Sequence, residues 1–319
     1  MDQRQFRPPG QVFSEISKPK GVGAFQNLQE DARQLGELES LLSTVKPRVI
    51  LAPPRTSSTA LAIALSKSPA VGPGYVHEPC DRFAHEGAGI STITDAIGEN
   101  ARVAGSARTG ILVKEMTFQM GVGPVFEAFM QNHTGPVIVL LRNPVLSIES
   151  RIRKVCEDQL KGGGLGGADR DRLGGAVRRQ DYSGVGDLLS DDVFPLRFIG
   201  WDFLAAQMEY IKARQIPYIL IDSTDFRRNP KALLEGVCER VGVGFVPEMV
   251  DWGRGGGERF GKLAEQGRWY SRVAGSSGVL PPTEKPIPLS AFPERFREPV
   301  RKATEIYESL LQDGGFLRV

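Results

Sequence analysis

The 319 residues suffice for one large domain or two small ones, and 40% hydrophobic with 24% charged residues leaves ample material for a core. A net charge of +2 argues against a strongly electrostatic partner such as bulk nucleic acid, while leaving room for a local basic pocket that takes a small polyanion. The three cysteines, Cys80, Cys156 and Cys238, are widely spaced and speak against a disulfide scaffold or a metal cluster.

No apolar run approaches the roughly 20 residues of a membrane span. The first residues, MDQRQFRPPGQVF, lack the apolar core of a signal peptide. A cytoplasmic protein without membrane contact is therefore expected.

In chain order, residues 1–24 are rich in Gly, Pro and charge and read as an irregular lead-in. Residues 25–319 read as a single domain. Leu28, Ala32, Leu35, Leu38 and Leu42 fall at helical spacing and predict an amphipathic helix. Val49, Ile50 and Leu51 form a short buried strand that ends at Pro53-Pro54. The pattern Arg55-Thr56-Ser57-Ser58-Thr59 then leads into an apolar helix. Gly74 to Pro79 reads as extended, with Pro79 biasing Glu78 the same way. Residues 90–102 read as a helix, Gly110 to Met116 as a strand carrying Lys114 and Glu115, and Val125 to Asn132 as a helix.

Pro136 to Leu141 (PVIVLL) is a continuous apolar strand of the kind buried on both faces. It stops at Arg142-Asn143-Pro144, and a helix follows. Paired and tripled glycines punctuate residues 161–187, which read as a loop or lid. Helical spacing resumes from Phe198 to Ala213, and Tyr218 to Ile221 is another buried strand. A helix spans 230–241, with Asn229 as its N-cap and Gly242 as its stop. Residues 253–282 read as a Gly- and Arg-rich loop, and 294–311 as a closing helix. His85 and His133 read as surface residues. Alternating strands and helices predict an α/β fold with a mainly parallel central sheet flanked by helices, its ligand beyond the carboxyl ends of the strands.

A strand, a tight loop and a helix N-terminus in succession aim backbone N–H groups and the helix dipole at one point, which suits an anion. A nucleoside triphosphate would call for GxxxxGK[ST], and Pro53 to Thr59 contains neither Gly nor Lys. Asp222, at the end of a strand, is a candidate magnesium ligand or simply a loop start.

Two stretches resemble the sulfotransferases that use 3′-phosphoadenosine 5′-phosphosulfate (PAPS). Pro54-Arg55-Thr56-Ser57-Ser58-Thr59-Ala60-Leu61 is similar to that family's 5′-phosphosulfate loop, with Ser57 where the family has Gly. Leu141-Arg142-Asn143-Pro144 with Ser150-Arg151 is similar to its 3′-phosphate motif, in which Ser follows Arg by eight residues. The resemblance implies a P-loop-like three-layer fold and metal-free transfer of a sulfonate to a hydroxyl or nitrogen of a small-molecule acceptor, such as a natural product. It implies adenosine 3′,5′-bisphosphate (PAP) as the leaving group and is compatible with a homodimer.

By the same resemblance, Arg55 stabilises the leaving phosphate and Thr56, Ser57, Ser58 and Thr59 bind the 5′-phosphate. Arg142 and Ser150 bind the 3′-phosphate. Lys262, with Arg254, Arg259 and Arg268 as alternatives, supplies a further charge there. The base is Glu78 or His77, and Lys114 faces the sulfonate. A nucleotide-dependent kinase and a non-catalytic nucleotide-binding protein are the rival readings.

Overall fold

The computed structural model describes residues 28–71, 75–104, 111–253, 270, 272–273 and 275–318. The expected lead-in at 1–24 lies outside these residues. So do 254–269, 271 and 274 of the expected 253–282 loop, including Lys262, Arg254, Arg259 and Arg268.

The chain begins with α1 (Leu28–Val45), β1 (Arg48–Ala52), α2 (Ser58–Leu65), β2 (Tyr75–His77), α3 (Asp81–Glu86) and α4 (Ser91–Ala104). It continues through β3 (Leu112–Met116), α5 (Thr117–Met120), α6 (Pro124–Asn132), β4 (Val137–Leu141), α7 (Pro144–Gly162) and α8 (Gly167–Arg179). Last come α9 (Trp201–Ala213), β5 (Tyr218–Asp222), α10 (Ser223–Arg228), α11 (Pro230–Val241) and α12 (Glu294–Leu311).

Among the described residues the five strands form one sheet in the order β2-β3-β1-β4-β5, and every pairing is parallel. The strands read as unbroken apolar runs because the sheet is covered on both faces. Val49 and Leu51 of β1 join one core with Val113, Val137 and Val139, while Ile50 and Ala52 join the opposite core with Leu112, Ile138 and Leu140. Helices α1, α6 and α9 contribute Leu42, Phe129 and Leu204 to the first core, and α2 and α11 contribute Leu61 and Leu234 to the second. The result is a three-layer α/β fold.

Beyond β5 the chain end bonds to Leu220, whose N–H donates to Gly315 and whose carbonyl accepts from Leu317, so the outer edge of the sheet is covered. No helix among the described residues is long and apolar enough to cross a membrane.

Parallel pairing brings the loops after β1, β2, β3, β4 and β5 to the same end of the sheet. β1 is central, and the chain visits one side of it (β3, β2) before the other (β4, β5). The crevice beyond β1 is thus the switch point where α/β sheets hold ligands.

Three local expectations are corrected. Within 161–187, residues 167–179 form helix α8, and a 3₁₀ helix spans Ser183–Leu189. Glycine pairs each cost about 1 kcal/mol per residue against Ala in a helix, but tertiary burial overrides that propensity. Leu173 and Ala176, one turn apart, are fully buried in the core, and Arg172 bridges Asp169 and Asp187. Asn229 stands at the start of α11 without a side-chain capping bond, Pro230 alone setting the first turn. Glu78 is not extended: its φ is +47°.

Packing of α8 by Leu173 is directly measurable. Leu173→Ala is expected to lower unfolding free energy by about 2–5 kcal/mol, read by urea denaturation; a loose lid would leave the midpoint unchanged.

Candidate active site

The loop after β1 carries two non-glycine residues in the left-handed region, Arg55 (φ 64°) and Ser57 (φ 66°). Each such residue costs an L-amino acid roughly 1–2 kcal/mol, so the surroundings must hold it. Thr56, fully buried, donates to the Pro53 carbonyl at 3.0 Å. Ser57 stands at the N-cap of α2 with no side-chain capping bond, and its hydroxyl instead receives Ser223 at 3.1 Å. The first turn of α2 therefore presents its backbone donors to the crevice, as an anion requires. Ser57 takes the φ that a glycine would take at no steric cost.

The turn after β4 is joined to this loop directly. Asn143 caps α7 by accepting from the Val145 N–H at 3.0 Å, and Pro144 opens the helix. Arg142 Nη1 donates to the carbonyl of Arg55 at 2.7 Å, and Arg55 Nε donates to the Ser150 hydroxyl at 3.2 Å. The two stretches that resemble one family are thus bonded to each other. Arg142 is 5% exposed, and its Nη2 makes no hydrogen bond among the described residues. A buried donor left so costs about 1–3 kcal/mol. Burial lowers the Arg55 guanidinium to about 10, with nearby Arg151 acting the same way. Burial also lowers Arg142 to about 10, against the opposing pull of Glu284. Both remain cations at neutral pH.

A second network surrounds Glu78. Lys114, 0% exposed on β3, donates to Glu78 Oε1, as does Tyr270 Oη at 2.5 Å. Gln119 Nε2 donates to Glu78 Oε2 at 3.1 Å and to Asp81 Oδ1 at 2.6 Å. Burial pushes the Glu78 carboxyl up, but Lys114 foremost, then His77, outweigh it and hold the group well below the usual carboxylate range. The unusual backbone of Glu78 follows from this pull, together with its N–H donating to the Lys114 carbonyl at 2.8 Å.

His77 lies behind Glu78, its Nδ1 paired with the Tyr75 hydroxyl and its Nε2 3.4 Å from Glu78 Oε1. Glu115, on the other face of β3, accepts from the Cys80 and Met116 N–H groups at 2.8 Å each and so pins the turn after Glu78. Burial, with the Glu78 charge, raises the Glu115 carboxyl to about 8.

One cavity of about 370 Å³ joins the two networks. Arg55, Thr56, Ser57, Ser58, Thr59, Arg142 and Ser150 line it, as does Glu78. Buried Lys114 and His77 are not among the residues that line it; Lys114, expected to face the sulfonate, instead bonds to Glu78. Lys262 lies outside the described residues.

Sequence reading missed Asp81, His85, Gln119, Arg227, Tyr270, Arg272 and Glu284, all of which line the cavity. His85 is exposed as expected, and it also pairs with Asp81 at 3.5 Å and stacks edge-on against Phe118 and Phe198. The four-residue spacing of Asp81 and His85 was the available signal, since it places both on one helix face. Burial lowers His85, and burial together with the Glu78 charge raises Asp81.

Residues 202–307 match the family model described as Sulfotransferase domain. A solved structure, "Sulfotransferase Domain from the Curacin Biosynthetic Pathway", is 19% identical, with 64% of this chain and 77% of that chain covered and a TM-score of 0.36. No curated protein matches. The family match takes in Arg227, Tyr270 and Glu284; Arg55, Arg142 and Ser150 fall before it.

Three substitutions test the site's construction. Ser57→Gly removes the left-handed strain and is expected to stabilise the fold by about 0.5–1 kcal/mol, read by thermal unfolding. Lys114→Met leaves the Glu78 carboxylate buried without its cation and is expected to destabilise by about 3–5 kcal/mol. Adding Glu78→Leu should restore most of that loss, and equal losses in the single and double variants would argue against the ion pair.

Proposed function

Starting from residues 202–307 as part of a sulfotransferase family, we propose that this chain moves the sulfonate of PAPS to a hydroxyl or nitrogen of a small-molecule acceptor. The observation that carries the reading is the bonding of two anion sites across one cavity. A helix N-terminus with its hydroxyl loop is one site, Arg142 with its unbonded buried Nη2 is the other, and the Arg55 carbonyl links them. A ligand with separate 5′ and 3′ phosphate groups answers both.

In the reaction, the acceptor oxygen or nitrogen attacks sulfur and the S–O bond to the 5′-phosphate breaks. The bond's electron pair leaves with PAP. Arg55 and the backbone donors at Thr56 to Thr59 stabilise the charge that gathers on that phosphate; a preorganised donor of this kind is worth about 2.7–4 kcal/mol in the transition state. The acceptor proton goes to Glu78, which lines the same cavity. A carboxylate held ionised by Lys114 is a weak base, and it suffices because the acceptor becomes acidic only as its electrons pass to sulfur. Tyr270 and Gln119 fix the carboxylate's direction. Arg142 and Ser150 hold the 3′-phosphate, the guanidinium matching the geometry of phosphate oxygens.

The kinase reading is weaker on this chain. Asp222 Oδ1 caps α10 by accepting from Thr224 and Asp225, and its Oδ2 accepts from Tyr307 at 2.8 Å. That carboxylate is committed to joining β5, α10 and α12.

Calorimetry with PAP and adenosine 5′-monophosphate tests the proposal. The chain is expected to prefer PAP, and Arg142→Ala to reduce that preference about 10- to 100-fold through loss of charged hydrogen bonds. Equal binding of both nucleotides by the unaltered chain would overturn the PAPS reading.

A further inference from the structure

The Glu284 carboxylate is shared by Arg142, Arg227 and Arg272. It accepts from Arg227 Nη1 at 2.9 Å and Nη2 at 3.3 Å, and from the Thr283 N–H at 3.1 Å. It lies 3.5 Å from Arg142 Nη2 and 3.6 Å from Arg272 Nη1. Arg142 and Arg227 are buried, and all four side chains line the cavity. Burial pushes the Glu284 carboxyl up, but the Arg227 hydrogen bonds and the Arg142 charge hold it at about 2.

The match is incomplete. At 3.5 Å Glu284 neutralises Arg142 without accepting from its Nη2, which has no hydrogen bond among the described residues. Two carboxylate oxygens committed to Arg227 do not serve three guanidinium groups at bonding distance. A phosphate, with three terminal oxygens, has the acceptors to do so.

The segment that carries Glu284 is also anchored independently of its carboxylate. Arg227 Nε donates to the Leu280 carbonyl at 3.0 Å and Nη2 to the Pro281 carbonyl at 2.7 Å. The side chain of Glu284 can therefore turn away while the segment stays in place.

We infer that Glu284 is a donor-selectivity residue whose carboxylate occupies the position of the donor's 3′-phosphate, between Arg142 and Arg227. This rests on the PAPS reading above. A nucleotide with a 3′-phosphate replaces the carboxylate and gains the unmade bond at Arg142. A nucleotide without one leaves Glu284 in place. Binding strength for the first kind is lowered by the fraction of molecules in which the carboxylate holds the position.

Glu284→Gln in the full chain tests this by calorimetry with PAP and with adenosine 5′-monophosphate. The expected result is about tenfold tighter PAP binding with the monophosphate unchanged. Glu284→Asp, one methylene shorter, should move PAP binding in the same direction, and it serves as the second variant if the amide disturbs folding. If the unaltered chain prefers PAP but the variants bind both nucleotides equally more tightly, the effect is one of general charge and the inference fails. It fails too if PAP binding is unchanged or weaker, which makes Glu284 a support for the arginines. If the unaltered chain has no preference for PAP, the PAPS reading itself falls, and the inference with it.

Discussion

Positive charge gathered out of water has to be balanced, and the site is arranged around that requirement. Arg55, Arg142, Arg151, Arg227 and Arg272 line a single cavity. Burial lowers the affinity of Arg55 and Arg142 for their protons, and neighbouring arginines add to the effect. The chain answers with acceptors of its own: the Arg55 carbonyl for Arg142, and the Leu280 and Pro281 carbonyls with the Glu284 carboxylate for Arg227. Each of these contacts ties one loop to another. The same contacts that neutralise the cluster therefore fix the relative positions of the loops after β1 and β4, and of α10 against the segment before α12.

The same cavity is also lined by carboxylates. Glu78 and Asp81 share the Gln119 amide, while Lys114 and Tyr270 bind Glu78 from behind and beside it. A carboxylate this deeply buried would be neutral without a cation. Lys114, fully enclosed, is the foremost charge that keeps it ionised. The cavity lining thus carries anions, Glu78 and Asp81, as well as cations, and Arg151 lies close enough to Glu78 and Asp81 to feel their charge.

The legible part of this site was its local part. Strands buried on both faces appear as unbroken apolar runs such as Val137 to Leu141, and they sufficed to anticipate a parallel sheet with ligand loops at one end. Arg55 to Thr59 and Arg142 to Ser150 were legible because a strand, a turn and a helix start lie within a few residues. Helix α8 was hidden because its glycines argue for a loop, whereas its helicity depends on burying Leu173 against distant residues. Arg227, Tyr270 and Glu284 carry no local pattern at all. Tyr270 reaches Glu78 across 192 positions and Glu284 reaches Arg227 across 57, so only the fold brings them together. Glu78 was anticipated as extended because the following proline favours that shape; a buried ion pair pulls harder than the local preference.

Three of the six left-handed non-glycine residues among the described residues lie where these charges meet. Arg55, Ser57 and Glu78 are left-handed non-glycine residues, and each is held by bonds from another element: Arg142 to the Arg55 carbonyl, Ser223 to Ser57, and Lys114 to the Glu78 side chain. Such conformations persist only where the surroundings over-determine them. The direction of inference matters here. Strain alone does not identify a site, but strain at three positions that share one cavity, each restrained by a partner distant in sequence, fits a site whose donors and acceptors are set before a ligand arrives. Glycine at Ser57 would relieve the loop, and the side chain there adds a hydroxyl at the mouth of an anion site. The loop thus trades a little stability for one more hydrogen-bonding group, set where the helix dipole already draws negative charge.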